Sequence, residues 1–180
     1  MYRDNTLIPT EAIRLAALGA LASRDLHYAQ IAEDVRHFTQ RIVGPSLDLV
    51  GTPVELLIVE GLIEPVSGKG MEDNALLRIT DAGESELHRL MTSSVRAPIN
   101  DINKLIISLK MRFLHLLNTE DRQEQVDVLV EMIERELARL TDLRAHYDQD
   151  AGYFLSWLDQ DIAATRERLT WFKDLQARVA

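Results

Sequence analysis

Residues 52–66 read TPVELLIVEGLIEPV. Val54, Leu57 and Ile58 fall three and four positions apart, the spacing that gathers apolar side chains on one face of a helix. Gly61 then supplies a break, and LIEPV begins a short apolar run. Pro65 confines that run to the edge of a sheet, because proline has no N–H to offer a second neighbouring strand. The stretch therefore reads as a helix that turns into an edge strand. It also holds Glu55, Glu60 and Glu64 and not one Lys or Arg, so the part these carboxylates play decides what such a helix can touch.

Upstream, PTEAIRLAALGAL (9–21) is apolar nearly all the way round and predicts a buried first helix, with Thr10 as N-cap and Glu11 in its first turn. YAQIAEDVRHFT (28–39) predicts a second helix with Ile31, Val35 and Phe38 on one face and Gln30, Glu33, Asp34 and His37 on the other. Gly44 and Pro45 mark a turn, and the third helix is expected from about Ser46 to Glu60, with Val50 joining the inward stripe. Pro53 inside it would bend it or delay its start. Downstream, LIEPV and ALLRIT flank the polar SGKGMEDN as a hairpin, and TDAGESELHRLM restarts a helix with Thr80 as N-cap. Three helices, a strand, a loop, a strand and a helix are the order of a winged helix-turn-helix.

Beyond the expected boundary at RAP (96–98), the chain reads as long helices. Ile99, Ile102, Ile106, Leu109, Phe113 and Leu116 recur three and four apart, a seam that calls for a partner helix. Val126, Ile133, Leu137, Leu140 and Tyr147 continue the period on the next helix, capped by Asn118 or Thr119. After DQDAG, Phe154, Leu158, Ile162, Leu169 and Phe172 mark the last. The expected organisation is mainly α, with a winged helix-turn-helix domain over 1–95 and a helical dimerisation domain over 96–180. Three helices with this much apolar face leave a surplus that a homodimer would cover.

Composition narrows the function. The 180 residues are 46% hydrophobic and 27% charged, with no cysteine, which excludes disulfides, thiolate metal sites and a cysteine nucleophile. No apolar run approaches the roughly 18–20 residues of a membrane span, and the N-terminus has no basic start followed by an apolar block, so a cytoplasmic protein is expected. Net charge is −9: −6 over residues 1–95 and −3 over 96–180. Any attraction to phosphates must come from a local patch. The five histidines form no His-x-x-x-His pair, DQD lacks the glycine and distal glutamate of a calcium loop, and SGKG lacks the spacing of a phosphate loop. No catalytic constellation is present and no cofactor or metal is expected.

Three segments together, LAALGALASRDLHYAQIAEDV (15–35), LLIVEGLIEPV (56–66) and LLRITDAGESEL (76–87), resemble the PadR family of bacterial transcriptional regulators. That family has a Leu-His step into its second helix, a Glu-Gly-Leu-Ile turn after its third and a Leu-Thr-Glu-Ala-Gly lead into the helix after the wing. The resemblance spans nearly the whole chain and implies a dimeric regulator that binds double-stranded DNA, with a repressor expected. Two departures stand out. Leu26, His27, Tyr28 and Ala29 replace Leu-His-Gly-Tyr, which displaces a tyrosine that reaches the DNA backbone. SLDLVG (46–51) replaces Ser-Pro-Gly-Thr-Leu-Tyr; Ser46 matches, and Gly51 stands where a second tyrosine would be.

Given such a fold, the outward face of the third helix carries Asp48, Thr52, Glu55, Leu56 and Val59. Base edges in the major groove are read by Arg, Lys, Asn, Gln, Ser or Thr, so Thr52 is the candidate base contact. Arg36 and Arg41 on the second helix, Ser46, and Lys69 between two glycines of the wing are the candidate backbone contacts. The resemblance also implies a flat aromatic effector at the dimer interface, with Phe113, His115, Trp157 and Trp171 as candidate pocket residues. A degenerate scaffold that binds proteins through the acidic, apolar third helix is the alternative.

Overall fold

The structure is a computed structural model and describes residues 7–44, 54–70, 73–95, 99–148 and 152–179. The chain divides into two compact units, residues 1–94 with 101–117, and residues 95–100 with 118–180.

In the first unit, α1 (Pro9–Leu21) is buried on almost every side, with Ala12, Ile13, Leu15, Ala16, Ala17, Leu18 and Leu21 all in the core. Its N-cap is Ile8 rather than Thr10. Pro9 takes the first turn, where its missing N–H costs nothing, and the Glu11 carboxylate accepts from the Ile8 N–H at 3.1 Å. A two-residue strand β1 (Leu26–His27) leads directly into α2 (Tyr28–Val43). The expected face holds, with Ile31 and Val35 buried and Phe38 half-buried. α3 is described as Val54–Val59; Ser46, Val50, Thr52 and the expected bend at Pro53 lie outside the described residues. Val54 and Leu57 face the core and Ile58 is half-buried.

The wing is β2 (Ile63–Ser67) and β3 (Leu76–Ile79), and the antiparallel sheet runs in the order β1-β3-β2. β2 is thus an edge strand, as Pro65 requires, and the register slips between Pro65 and Ser67. Ile63, Leu77 and Leu26 form the inward face. Then α4 (Asp81–Met91) begins at Thr80, whose Oγ1 accepts from the Gly83 N–H at 3.1 Å, the N-cap expected there.

α5 (Asp101–Phe113) and a 3₁₀ turn (Leu114–Leu116) belong to this first unit, although the sequence placed the boundary before them. α5 packs against α1 and α2. A Cβ added at Gly19 would lie 2.4 to 2.6 Å from the Phe113 ring, so the glycine is what lets that ring close on α1. Ile106, Leu109 and Phe113, expected to face a second copy, are therefore buried beside their own chain's helices, while Ile99, Ile102 and Leu116 are half-buried. The three-four period correctly demanded a partner; the partner is intramolecular.

The second unit is an antiparallel hairpin of α6 (Thr119–His146) and α7 (Phe154–Val179). Asn118 caps α6 by accepting from the Asp121 N–H at 2.9 Å. Leu158, Ile162, Thr165 and Phe172 bury one stripe of α7, and Leu140, Leu158 and Ile162 form a core cluster with Leu137 and Leu143 at its margin. Arg144 with Asp159 (2.8 Å), Lys173 with Glu134 (2.8 Å) and Gln176 with Asp127 (2.7 Å) tie the helices along their length. Phe154 and Tyr147, expected inside, are exposed, and Leu169 is half-buried.

Candidate nucleic-acid interface

The carboxylates of residues 52–66 work within the fold. Glu55 accepts a 2.7 Å hydrogen bond from the Tyr28 hydroxyl on α2. Burial of the ring and that bond push the Tyr28 pKa up to about 12, so the phenol stays a donor. Tyr28 is thereby committed to α3 rather than to a phosphate, and Glu55 is not aimed at a cytosine amine. Glu60 pairs with Arg14 of α1. Glu64 lies opposite Arg78 across the wing, and Arg78 forms two hydrogen bonds, at 3.0 and 2.6 Å, with Asp25. The guanidinium holds the Asp25 carboxyl below its ordinary range.

The two motifs after α3 lock into each other. Gly61, at φ 73°, takes the left-handed turn that ends α3, and the Leu62 N–H returns to the Leu57 carbonyl at 2.9 Å. Thr80 then donates its hydroxyl to the Gly61 carbonyl at 2.7 Å and its N–H to the Leu62 carbonyl at 3.1 Å. A Cβ on Gly83 would lie 2.0 Å from that Leu62 oxygen. The EGLI and TDAG signatures are therefore one joint between α3, β2 and α4. Their service is to hold α3 at a fixed angle to the wing.

Around this frame the cations divide into two groups. Arg14, Arg78, Arg89 and Arg112 are ion-paired. Arg36, Arg41 and Lys69 are exposed and, among the described residues, make no ion pair; Arg24, which the sequence reading did not single out, is in the same condition. Arg36 lines an open depression of about 440 Å³ with Tyr28, Ala29, Ala32, Glu33 and Asn74. Asn74, at φ 49°, accepts from the Ala29 N–H through its side chain (2.9 Å), while its carbonyl lies 2.9 Å from His27 Nδ1. One wing residue so fixes the start of α2.

At the wing tip the Asp73 carboxylate accepts from the Lys69 N–H (2.7 Å) and the Gly70 N–H (3.0 Å), the Gly70 bond being the chief cause that keeps its pKa low. The backbone that the glycines left open to a phosphate is thus occupied, and only the Lys69 side chain remains to reach outward. Ser46 and Thr52 lie outside the described residues.

The four candidate effector residues do not gather in either unit. Phe113 is buried against Gly19 and His115 is exposed in the first, while Trp157 and Trp171 are exposed on α7 of the second. Sequence reasoning also missed Lys110, which is fully buried. Its Nζ donates to the carbonyl oxygens of Met91 and Ser93 (2.7 Å to the latter) at the end of α4, and burial pushes its pKa down to about 7. Its place four residues after Ile106 was the available signal.

Among the described residues no helix is long and apolar enough to cross a membrane. Several solved structures are similar to the chain. Bacillus subtilis PadR in complex with operator DNA is 17% identical, with 93% of this chain and 97% of that one covered and a TM-score of 0.38. The same protein in complex with p-coumaric acid is 16% identical, covering 97% and 98%, also at 0.38. A PadR-like transcriptional regulator from Bacillus cereus is 18% identical, covering 93% and 97%, at 0.39. No curated protein matches. The family model described as "Putative AphA-like transcriptional regulator" matches residues 2–176. A match over nearly the whole length, on a chain whose helices and wing are joined as described, places the protein in this AphA-like family of transcriptional regulators.

Proposed function

We propose that the protein is a homodimeric repressor that grips duplex DNA through Arg36, Arg41 and Lys69, with Ser46 and Thr52 as further contacts. The observation that carries this reading is the division of the cations: the exposed Arg36, Arg41 and Lys69 are left without an ion pair among the described residues. They sit on α2 and on the wing loop after β2, and α2 and β2 are both elements that α3 touches. Phosphate contacts of this kind position a protein on DNA without reading sequence.

The α6–α7 unit is the proposed dimerisation unit, and the exposed aromatics of α7 support it. Phe154, Trp157 and Trp171 stand outside the hairpin's own buried stripe, and aromatic side chains contribute large apolar areas to interfaces. A small aromatic molecule is the proposed signal; Trp157 and Trp171 remain its candidate contacts, whereas Phe113 can take part only if it leaves Gly19.

The alternative, a scaffold that binds proteins through α3, is favoured by the exposure of Leu56 and Val59. Selection of duplexes from a random library, followed by binding isotherms at low and physiological salt, separates the two. Enrichment of a defined sequence supports the regulator, and no duplex binding even at low salt supports the scaffold.

A further inference from the structure

α3 has no free polar side chain over its described length. Glu55 is held by the Tyr28 hydroxyl, Glu60 just past the helix end by Arg14, and Val54 and Leu57 are in the core. What α3 turns outward is apolar: Val59 is 82% exposed and Leu56 is 39% exposed. They lie three positions apart, on one face of the helix. Cations carried by α2 and the wing loop, both next to α3 or its adjoining strand, suit this face to a polyanion and not to an apolar protein surface. Among base edges in the major groove, the thymine 5-methyl is the group that an aliphatic side chain can recognise.

From the outward pair Leu56 and Val59, on a helix whose neighbouring α2 and β2 lead to the exposed Arg36, Arg41 and Lys69, we propose that α3 reads its operator by packing these two side chains on thymine methyl groups. This rests on the DNA-binding reading above and adds the chemistry of recognition to it. It assigns α3 a specificity made of shape and apolar contact, with no hydrogen bond from residues 54–59 to a base.

The test uses the duplex that the wild-type protein enriches from a random library, and the same duplex with deoxyuridine in place of thymidine. That exchange removes the 5-methyl and leaves charge and base pairing in place. Burial of one methyl-sized group corresponds to about a fourfold ratio in affinity, so the wild type should bind the uracil duplex about fourfold more weakly for each methyl it covers. Leu56→Ala and Val59→Ala change exposed side chains, so the fold should survive, as circular dichroism can verify; both should bind the thymine duplex more weakly and show a smaller difference between the duplexes. Equal affinity of the wild type for both duplexes overturns the proposal, as does a full difference retained by the two variants. In either case duplex binding itself persists and the regulator reading stands. If no duplex binds at any salt concentration, that reading fails first, and Leu56 and Val59 fall to a protein partner.

Discussion

Among the described glycines, Gly83 has the narrowest tolerance. Any side chain there must displace the Leu62 carbonyl, 2.0 Å from the position its Cβ would take, and that carbonyl also accepts from Thr80. Gly83→Ala should cost at least about 1–3 kcal/mol, the range for overpacking, and Thr80→Ala about 1 kcal/mol through loss of the N-cap; urea denaturation reads both. Lys110 makes a different kind of demand. Its amine is buried among the carbonyls that end α4 and its pKa is lowered from 10.5 to about 7. Between those values the unfolded chain holds a proton that the folded one gives up, so stability rises with pH from about 7 towards 10.5 and is lost as pH falls back. Lys110→Met should flatten that rise in denaturation curves taken across the window; a variant that keeps the parent's slope would show that another group titrates. The sequence could place Thr80 and Gly83 because their pattern is local. It could not show that Glu55 meets a hydroxyl 27 positions away, or that a lysine on an apolar stripe is capped by another helix.

α5 is where sequence and structure part most clearly. Periodicity reports that a helix has an apolar face and is silent about whose surface covers it. Here the face closes on α1 and α2, and Gly19, one of several small residues of α1, leaves the room that the Phe113 ring fills. Phe113→Ala should therefore cost about 3–5 kcal/mol. Leu109→Asp buries an unpaired carboxylate inside one chain and should unfold the first unit rather than yield a folded monomer, which circular dichroism and sedimentation together can tell apart. The helix order, the edge position of β2 and the α4 cap were legible because Pro65, Gly61 and Thr80 act through backbone rules that need no distant partner. β1 was not, since Leu26 and His27 have only two residues in which to declare a strand and owe their pairing to Leu77 and Leu76.

In the whole molecule, the proposed function gives the DNA grip to the first unit and the contact between copies to the second. The α7 aromatics should form the contact between copies: Trp157→Glu with Trp171→Glu should turn a species of twice the chain mass into a folded monomer in sedimentation, and an unchanged dimer would move the interface elsewhere. The candidate interface was legible in part. Arg36, Arg41 and Lys69 stood out as local cations in an acidic chain, but the commitment of the Lys69 and Gly70 amides to Asp73 depends on loop geometry that composition does not specify. The central claim is that these three side chains supply the electrostatic grip. It is tested by the salt dependence of binding to the selected duplex, measured for the wild type and for Arg36→Ala, Arg41→Ala and Lys69→Ala. The slope of log K against log salt should fall by about 0.9 for each phosphate contact removed, hence by about 1.8 for each substitution in a dimer. Slopes equal to the wild type's in all three variants would contradict it.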